Sequence, residues 1–414
     1  MQNIFIWGIA ILVTAGIVVR PFKLPEAVWA VGGALILLIF QLLSPFEAFS
    51  GGKKGLDVYL FLTGMMLLAE TAREEKLFDW LAAHATRLSK GSSTRLFLLI
   101  YIVGTIVTAF LSNDATAVVL TPAVAAAVKT ARAERPLPYL LICAFIANAA
   151  SFILPISNPA NLVIYGKQMP PLMDWLPRYL LPSFLSITLT YLMLFLTQRK
   201  ALQQKIETNI SIPKLKKGGR LALWGIGITT MVLLGASSMD LPLGLPTAIA
   251  GIIITVIVLI VTRQRPFKVI RGVSWSVLPL VAGLFMIVEA LNKTGLTEQL
   301  SNLLRIHGEG SVHQTAWGSG ISIALISNLV NNLPSGLIAG SALQITHVPE
   351  IVRSAMLIGV DLGPNLSVTG SLATILWLVA LRREQQDISA WTFLKIGCLV
   401  MTIPLLCALA ALFV

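Results

Sequence analysis

Charge is what this chain has least of. Only 12% of its 414 residues are Asp, Glu, Lys or Arg, against 56% hydrophobic residues, and the mean hydropathy is +0.82. A soluble domain carries roughly twice that charged fraction, so soluble enzymes are excluded as a class. Cysteine is scarce as well. Cys143, Cys398 and Cys407 follow no regular spacing, which leaves neither a disulfide framework nor a thiolate metal site. Cys398 and Cys407 fall on roughly opposite sides of one helix at about 100° per residue, and all three read as apolar packing residues. The four histidines, His84, His307, His313 and His347, map to loops or helix ends without ligand spacing and read as solvated side chains. No Walker motif is present, and Gly32-Gly33 and Gly218-Gly219 lack a strand–turn–helix context. The chain is therefore expected to have no intrinsic ATPase activity, no catalytic residues, no cofactor and no metal site.

What the chain does have is length in its apolar runs. Runs of the size that a hydrocarbon core of about 30 Å demands recur near residues 3–19, 25–43, 56–72, 174–197, 220–236, 246–262, 274–292 and 391–413. They lack the alternation of a barrel, and an open strand edge has no partner in lipid, so the chain reads as an all-α polytopic membrane protein. The first run has no basic n-region and continues into Arg20-Pro21 instead of a cleavage site. It reads as the first transmembrane helix.

Against this background, polar clusters at membrane depth stand out. Ser112-Asn113 in AFLSNDATAVVLTP and Ser327-Asn328 in ALISNLVNNLPSGL lie about 215 positions apart. Buried amides, hydroxyls and carboxylates cost several kcal/mol unless they face a cavity or a partner. Residues 95–128 and 315–343, interrupted midway, read as re-entrant helical hairpins. Residues 138–166 (with LPISNPAN) and 351–381 (with GPNLSVTGS) read as helices broken by Pro and Asn. Irregular backbone at that depth lines cavities, so the four interruptions mark one site.

The two halves repeat each other. LTGMMLLAETAREEKLFDWLA aligns with VAGLFMIVEALNKTGLTEQLS at a constant offset of 219, pairing Gly64 with Gly283, Glu70 with Glu289 and Leu77 with Leu296. The chain divides into a first repeat over 1–198, a basic cytoplasmic linker over 199–219 and a second repeat over 220–414. Each repeat makes five crossings, about ten spans plus two hairpins in all, and an odd number turns the second repeat upside down. In this arrangement about 24 of the 31 Lys and Arg fall on one side or at its edge. The positive-inside rule makes that side cytoplasmic and places both termini outside. The net charge of +12 then reflects orientation in the membrane, not nucleic-acid binding.

SNDATAVVLTP, LISNLVNNLPSG and above all VDLGPNLSVTGSLATILWL are similar to the arsenite/antimonite efflux permeases (ArsB) of the ion transporter superfamily, which also holds NhaD-type sodium/proton antiporters and dicarboxylate carriers. The resemblance runs nearly end to end. It implies a scaffold, two opposed hairpins and a midplane site where trivalent arsenic or antimony hydroxide leaves the cytoplasm in exchange for protons, in a bacterial or archaeal inner membrane. It also leaves room for a cytoplasmic arsenical pump ATPase as partner and for a homodimer. At the second break this chain reads Pro364-Asn365-Leu366-Ser367, where some relatives are more basic.

Arsenous acid is uncharged near neutral pH, and its three hydroxyls donate and accept, so it wants amides and hydroxyls on several sides. Ser112, Asn113, Ser157, Asn158, Asn161, Asn328, Asn331, Asn332, Asn365, Thr369 and Ser371 are the candidate substrate-binding residues, and no Lys or Arg lies within any interruption. Proton coupling needs a group whose charge changes, and Asp114 and Asp361, one per half, lie closest to the interruptions. Glu70 and Glu289 sit where their helices approach water and read as structural. Two other functions fit the same features. A sodium/proton antiporter would use the same carboxylates, and a passive solute channel would ignore the pH gradient.

Overall fold

The computed structural model describes residues 2–207, 214–346 and 348–414. His347 and linker residues 208–213 lie outside the described residues. In the first half, α1 (Gln2–Val19), α2 (Glu26–Ile39), the short α3 (Pro45–Lys54) and α4 (Leu56–Glu74) come first, followed by the amphipathic α5 (Leu77–Leu88). Hairpin 1 rises as α6 (Ser93–Phe110) and returns as α7 (Asn113–Ala115), a π turn over Thr116–Leu120, and α8 (Thr121–Thr130). Broken helix 1 is α9 (Leu137–Ala149) plus α10 (Pro159–Tyr165), and α11 (Leu172–Gln198) closes the half.

The second half has the same order: α12 (Lys217–Ser238), α13 (Gly244–Thr262), α14 (Pro266–Gly272), α15 (Val277–Lys293) and the amphipathic α16 (Leu296–Gly310). Hairpin 2 is α17 (Val312–Val330) with α18 (Asn332–Ile345), broken helix 2 is α19 (Glu350–Leu362) with α20 (Leu372–Arg383), and α21 (Ala390–Ala410) is last. The basic run at Lys216–Arg220 opens α12, so that helix begins three residues before the boundary read from sequence. Among the described residues seven helices are long and apolar enough to cross a membrane, or eight if α3 and α4, bent by 50°, count as one span. One of these, α6, belongs to hairpin 1; without it, and with the 14-residue α2 and the two broken helices added to the eight, the spans come to the ten read from sequence.

Packing exchanges the halves. α4 lies along α13 and α2 along α15, while α11 and α21 pack on each other. The conserved offset shows why glycine stands at two of these crossings: a Cβ on Gly64 would strike the Thr247 carbonyl, and one on Gly283 would strike the Ala30 backbone. Small residues let membrane helices approach to backbone contact, where dispersion replaces the missing hydrophobic drive. The hairpins are clasped alike. Thr108 and Thr116 share a hydrogen bond of 2.8 Å across hairpin 1, and Ser327 and Ser335, each 219 residues later, share one of 2.8 Å across hairpin 2.

Candidate functional site

Each return helix and each second half-helix begins at a cap. Ser112 Oγ accepts the Ala115 N–H at the tip of hairpin 1, and Asn331 Oδ1 accepts the Leu333 N–H at the tip of hairpin 2. Asn331 has φ 74°, a left-handed conformation that Asn tolerates better than most residues. In the broken helices Asn158 Oδ1 accepts the Ala160 N–H at 3.0 Å and Ser371 Oγ accepts the Thr374 N–H at 3.0 Å. Pro159 follows the first of these caps, where its missing N–H costs nothing.

These four helix starts converge on one cleft of about 200 Å³, lined by Asn113 and Asp114, Asn158 and Pro159, Asn332 and Leu333, and Leu372 and Ala373. Two residues come from each of the four interruptions. Four helix N-termini give the cleft a positive fringe of free N–H groups, and no Lys or Arg lines it. A second, larger cavity of about 570 Å³ shares Asp114 and Pro159 with the cleft and extends along α4 past Met65 and Met66 to Glu70 and Gly272. Asp114 is half-buried, and its carboxylate takes no hydrogen bond from the described residues. Ser112 lines the larger cavity only.

The remaining candidates are engaged elsewhere. Asn328 donates to the Ala324 and Gly363 carbonyls (2.8 and 2.9 Å) and accepts from Ser367 Oγ (2.8 Å), so its amide braces hairpin 2 against the break. Asn331 donates to the Thr369 carbonyl, and Thr369 Oγ1 donates to the Asn328 carbonyl. Asn365 donates to the Phe145 carbonyl at 3.1 Å, Ser157 to the Ala109 carbonyl at 3.0 Å, and Asn161 to the Ser151 carbonyl at 3.0 Å. The repeat counterpart of Asn113 is therefore Asn332, 219 residues on. Ser327-Asn328 repeats the dipeptide but lies four residues, about one helical turn, before that position, which is why the two stretches look equivalent in sequence.

One residue of the site carries no sequence signal of its own. Asn148, fully buried in the otherwise apolar α9, donates from Nδ2 to Asn365 Oδ1 at 3.0 Å and to Thr374 Oγ1 at 3.3 Å, and accepts from Ser371 Oγ at 3.2 Å. Its repeat counterpart, at the offset of 213 that relates α9 to α19 (Leu137 to Glu350), is Asp361. Asp361 in turn accepts from Asn158 Nδ2 at 2.7 Å. Each half thus presents a polar residue near the end of its first half-helix to the N-cap of the other half. Extending the repeat through the break would have found Asn148. Asp361 is fully buried outside the cleft, and its Oδ2 has no partner among the described residues.

The repeat-related glutamates are held in different ways. Glu70 is paired with Arg73 of its own helix and lies against Gly272. Glu289 accepts Lys54 Nζ of α3 at 2.6 Å and lies against Gly51. Of the cysteines, Cys143 is buried, Cys407 is half-buried and Cys398 is exposed on the apolar α21. His84 lies within α5 with its ring tilted by 49° against that of Trp80, and His313 sits edge-on to Phe413 at the start of α17.

Comparison with known proteins adds relatives to this geometry. The citrate transporter family model (CitMHS) matches residues 6–359. The arsenical pump membrane protein of Escherichia coli is 30% identical over 354 residues, with 80% of each chain covered. That of Yersinia enterocolitica is 29% identical over 344 residues, again with 80% of each covered. The putative arsenical pump membrane protein of Bacillus subtilis is 25% identical over 422 residues and 95% of each chain. Among solved structures, the YdaH transporter of Alcanivorax borkumensis, described as having an unusual topology, is similar in fold, with a TM-score of 0.55 at 14% identity over 99% of this chain and 97% of that one.

Proposed function

Because the chain belongs to the citrate transporter (CitMHS) family and is a multi-pass plasma-membrane transporter, we propose that it exports arsenite and antimonite from the cytoplasm in exchange for protons. The observation that carries this reading is the cleft itself: three amides, four helix N-termini and one open carboxylate, with no cationic side chain. A neutral trihydroxide finds donors in the helix N–H groups and the amides, and acceptors in the amide oxygens and Asp114. The substrate-binding set narrows to Asn113, Asn158 and Asn332, with Asp114 and Asp361 as the proton carriers. The other candidates support the two breaks and the two hairpin tips. The names of the arsenical pump relatives point to the same cargo.

The two halves are proposed to lie inverted in the membrane with both termini outside. On that topology the cavity from Asp114 to Glu70 opens toward the cytoplasm, and the described state takes substrate from the inside. Alternating access then moves the hairpins and broken helices against α4 and α15. A second reading, export or import of a carboxylate anion, is favoured by the four converging helix N-termini and by the description of the family model.

The test is arsenite accumulation in everted vesicles, with and without an imposed pH gradient and without ATP. Accumulation that collapses with the gradient is the expected result. Proton movement driven by sodium and indifferent to arsenite would replace the reading with sodium/proton antiport, equilibrating uptake would replace it with a channel, and competition by citrate would favour the anion.

A further inference from the structure

α3 and α14 hold the same place in the two halves, directly ahead of the repeat-related α4 and α15, and each opens on Pro-Phe: Pro45-Phe46 and Pro266-Phe267. Both turn an apolar pair, one helical turn apart, away from the protein. Phe46 and Phe49 are 81% and 70% exposed, and Phe267 and Ile270 are 61% and 49% exposed. On its other side α14 is held by Val269 and Val273, which pack with Leu67 of α4. A short helix that keeps one apolar face for the protein and shows a second to its surroundings lies at the edge of the hydrocarbon layer.

The two helices differ in charge. α3 has Glu47 as its third residue, paired with Lys293 at 2.9 Å, while Lys54 pairs with Glu289 at 2.6 Å. α14 has Lys268 as its third residue. Arg263, Arg265, Lys268 and Arg271 are all exposed, no Asp or Glu stands between residues 263 and 275, and none of the four cations has an acidic partner among the described residues. The Arg271 guanidinium lies over the Phe267 ring, 4.9 Å from its centre, which sets a planar fork of N–H donors beside the apolar pair. Lys268 is its neighbour at i, i+3 on the same helix. Trp275, whose Nε1–H donates to the Ile270 carbonyl at 2.6 Å, adds a ring of the kind enriched at headgroup level. Orienting a chain requires cations in the loop but no exposed apolar pair beside them.

We propose that α14 and the turn up to Trp275 form a docking surface for the headgroup of an anionic phospholipid, with Phe267 and Ile270 in the acyl boundary and Lys268 and Arg271 on the phosphate. The carboxylate of Glu47 makes α3 a poor site for the same headgroup. The inference goes beyond cargo and coupling and holds whatever the chain transports. Its place gives it a consequence. The inner side of α14 walls the larger cavity through Gly272 and Val273, where Gly272 lies against Glu70 and Arg73. A bound headgroup therefore anchors that wall of the cavity to the membrane surface.

The test uses the full chain in detergent micelles, titrated with fluorescently labelled phosphatidylglycerol or with phosphatidylcholine of the same acyl chains. Wild type is expected to bind phosphatidylglycerol at least about tenfold more tightly, and Lys268→Gln with Arg271→Gln to lose that preference at about fivefold per cation removed. Arg199→Gln with Lys200→Gln, which removes two exposed cations beyond α11, should keep it within about twofold, because screened charges away from the site contribute little. If the α14 double variant unfolds on heating below wild type, Lys268→Glu, which copies Glu47 of α3, takes its place and is expected to lose about as much. Equal losses from the α14 pair and the Arg199 pair overturn the site in favour of a diffuse basic surface. Displacement of the labelled lipid by inorganic phosphate at matched ionic strength overturns the lipid as occupant, and no preference for phosphatidylglycerol in wild type overturns the proposal outright.

Discussion

Asn332 stands on hairpin 2 where Asn113 stands on hairpin 1. Each opens its return helix directly after the capping residue, and both line the same cleft. Asn328, one turn earlier, is bonded to its own helix and to the break instead. The two asparagines of hairpin 2 should therefore fail differently. Asn332→Ala is expected to weaken arsenite transport by about tenfold at unchanged thermal stability, the effect of one lost hydrogen bond. Asn328→Ala is expected to lower stability by about 1 to 3 kcal/mol, because the buried Gly363 carbonyl loses its donor and the Ser367 hydroxyl its acceptor. Thermal unfolding in detergent beside vesicle transport separates them, and identical profiles for the two variants would contradict the assignment.

Asp114 has Leu333 at the matching place of hairpin 2, so the cleft carries its carboxylate on one side only. Asp114→Asn keeps the shape and a helix-compatible side chain. It is expected to abolish pH-driven arsenite accumulation while the protein unfolds at its normal temperature. Persistence of gradient-driven accumulation would remove Asp114 from the exchange.

Asn148 ties α9 to the break and to the second half-helix of broken helix 2 through Asn365, Ser371 and Thr374. Asn148→Ala strands those partners in a buried, water-poor place, at a cost of about 2 kcal/mol or more. A lowered unfolding temperature with reduced transport at every pH is expected. A change confined to the pH profile would mean that Asn148 takes part in coupling.

The crossings at Gly64 and Gly283 tolerate no side chain without moving backbone. Either glycine changed to Ala is expected to destabilise by about 1 to 3 kcal/mol, the range for overpacking a tight contact, and by similar amounts because the crossings are related by the repeat. A neutral result at one glycine only would show that the two interfaces are not equivalent.

The sequence by itself determined the membrane class, the long apolar helices and the location of the four interruptions. Apolar length and breaks by Pro and Asn are local properties: hairpin 1 extends over Ser93–Thr130 against the expected 95–128, and broken helix 2 over Glu350–Arg383 against 351–381. It also displayed the offset of 219 through Gly64 and Glu70. What only the tertiary structure decided is which amides face the cleft. Asn113 and Asn328 look alike because a shift of one helical turn preserves the face of a helix, while hydrogen-bond partners depend on what lies across the gap. Asn328 meets Gly363 and Ser367 from a segment 35 residues or more away, and Asn148 meets Asn365 from 217 residues away. No pattern within a single helix encodes such distances, because a buried amide gains its role from whichever polar group the fold brings within about 3 Å of it.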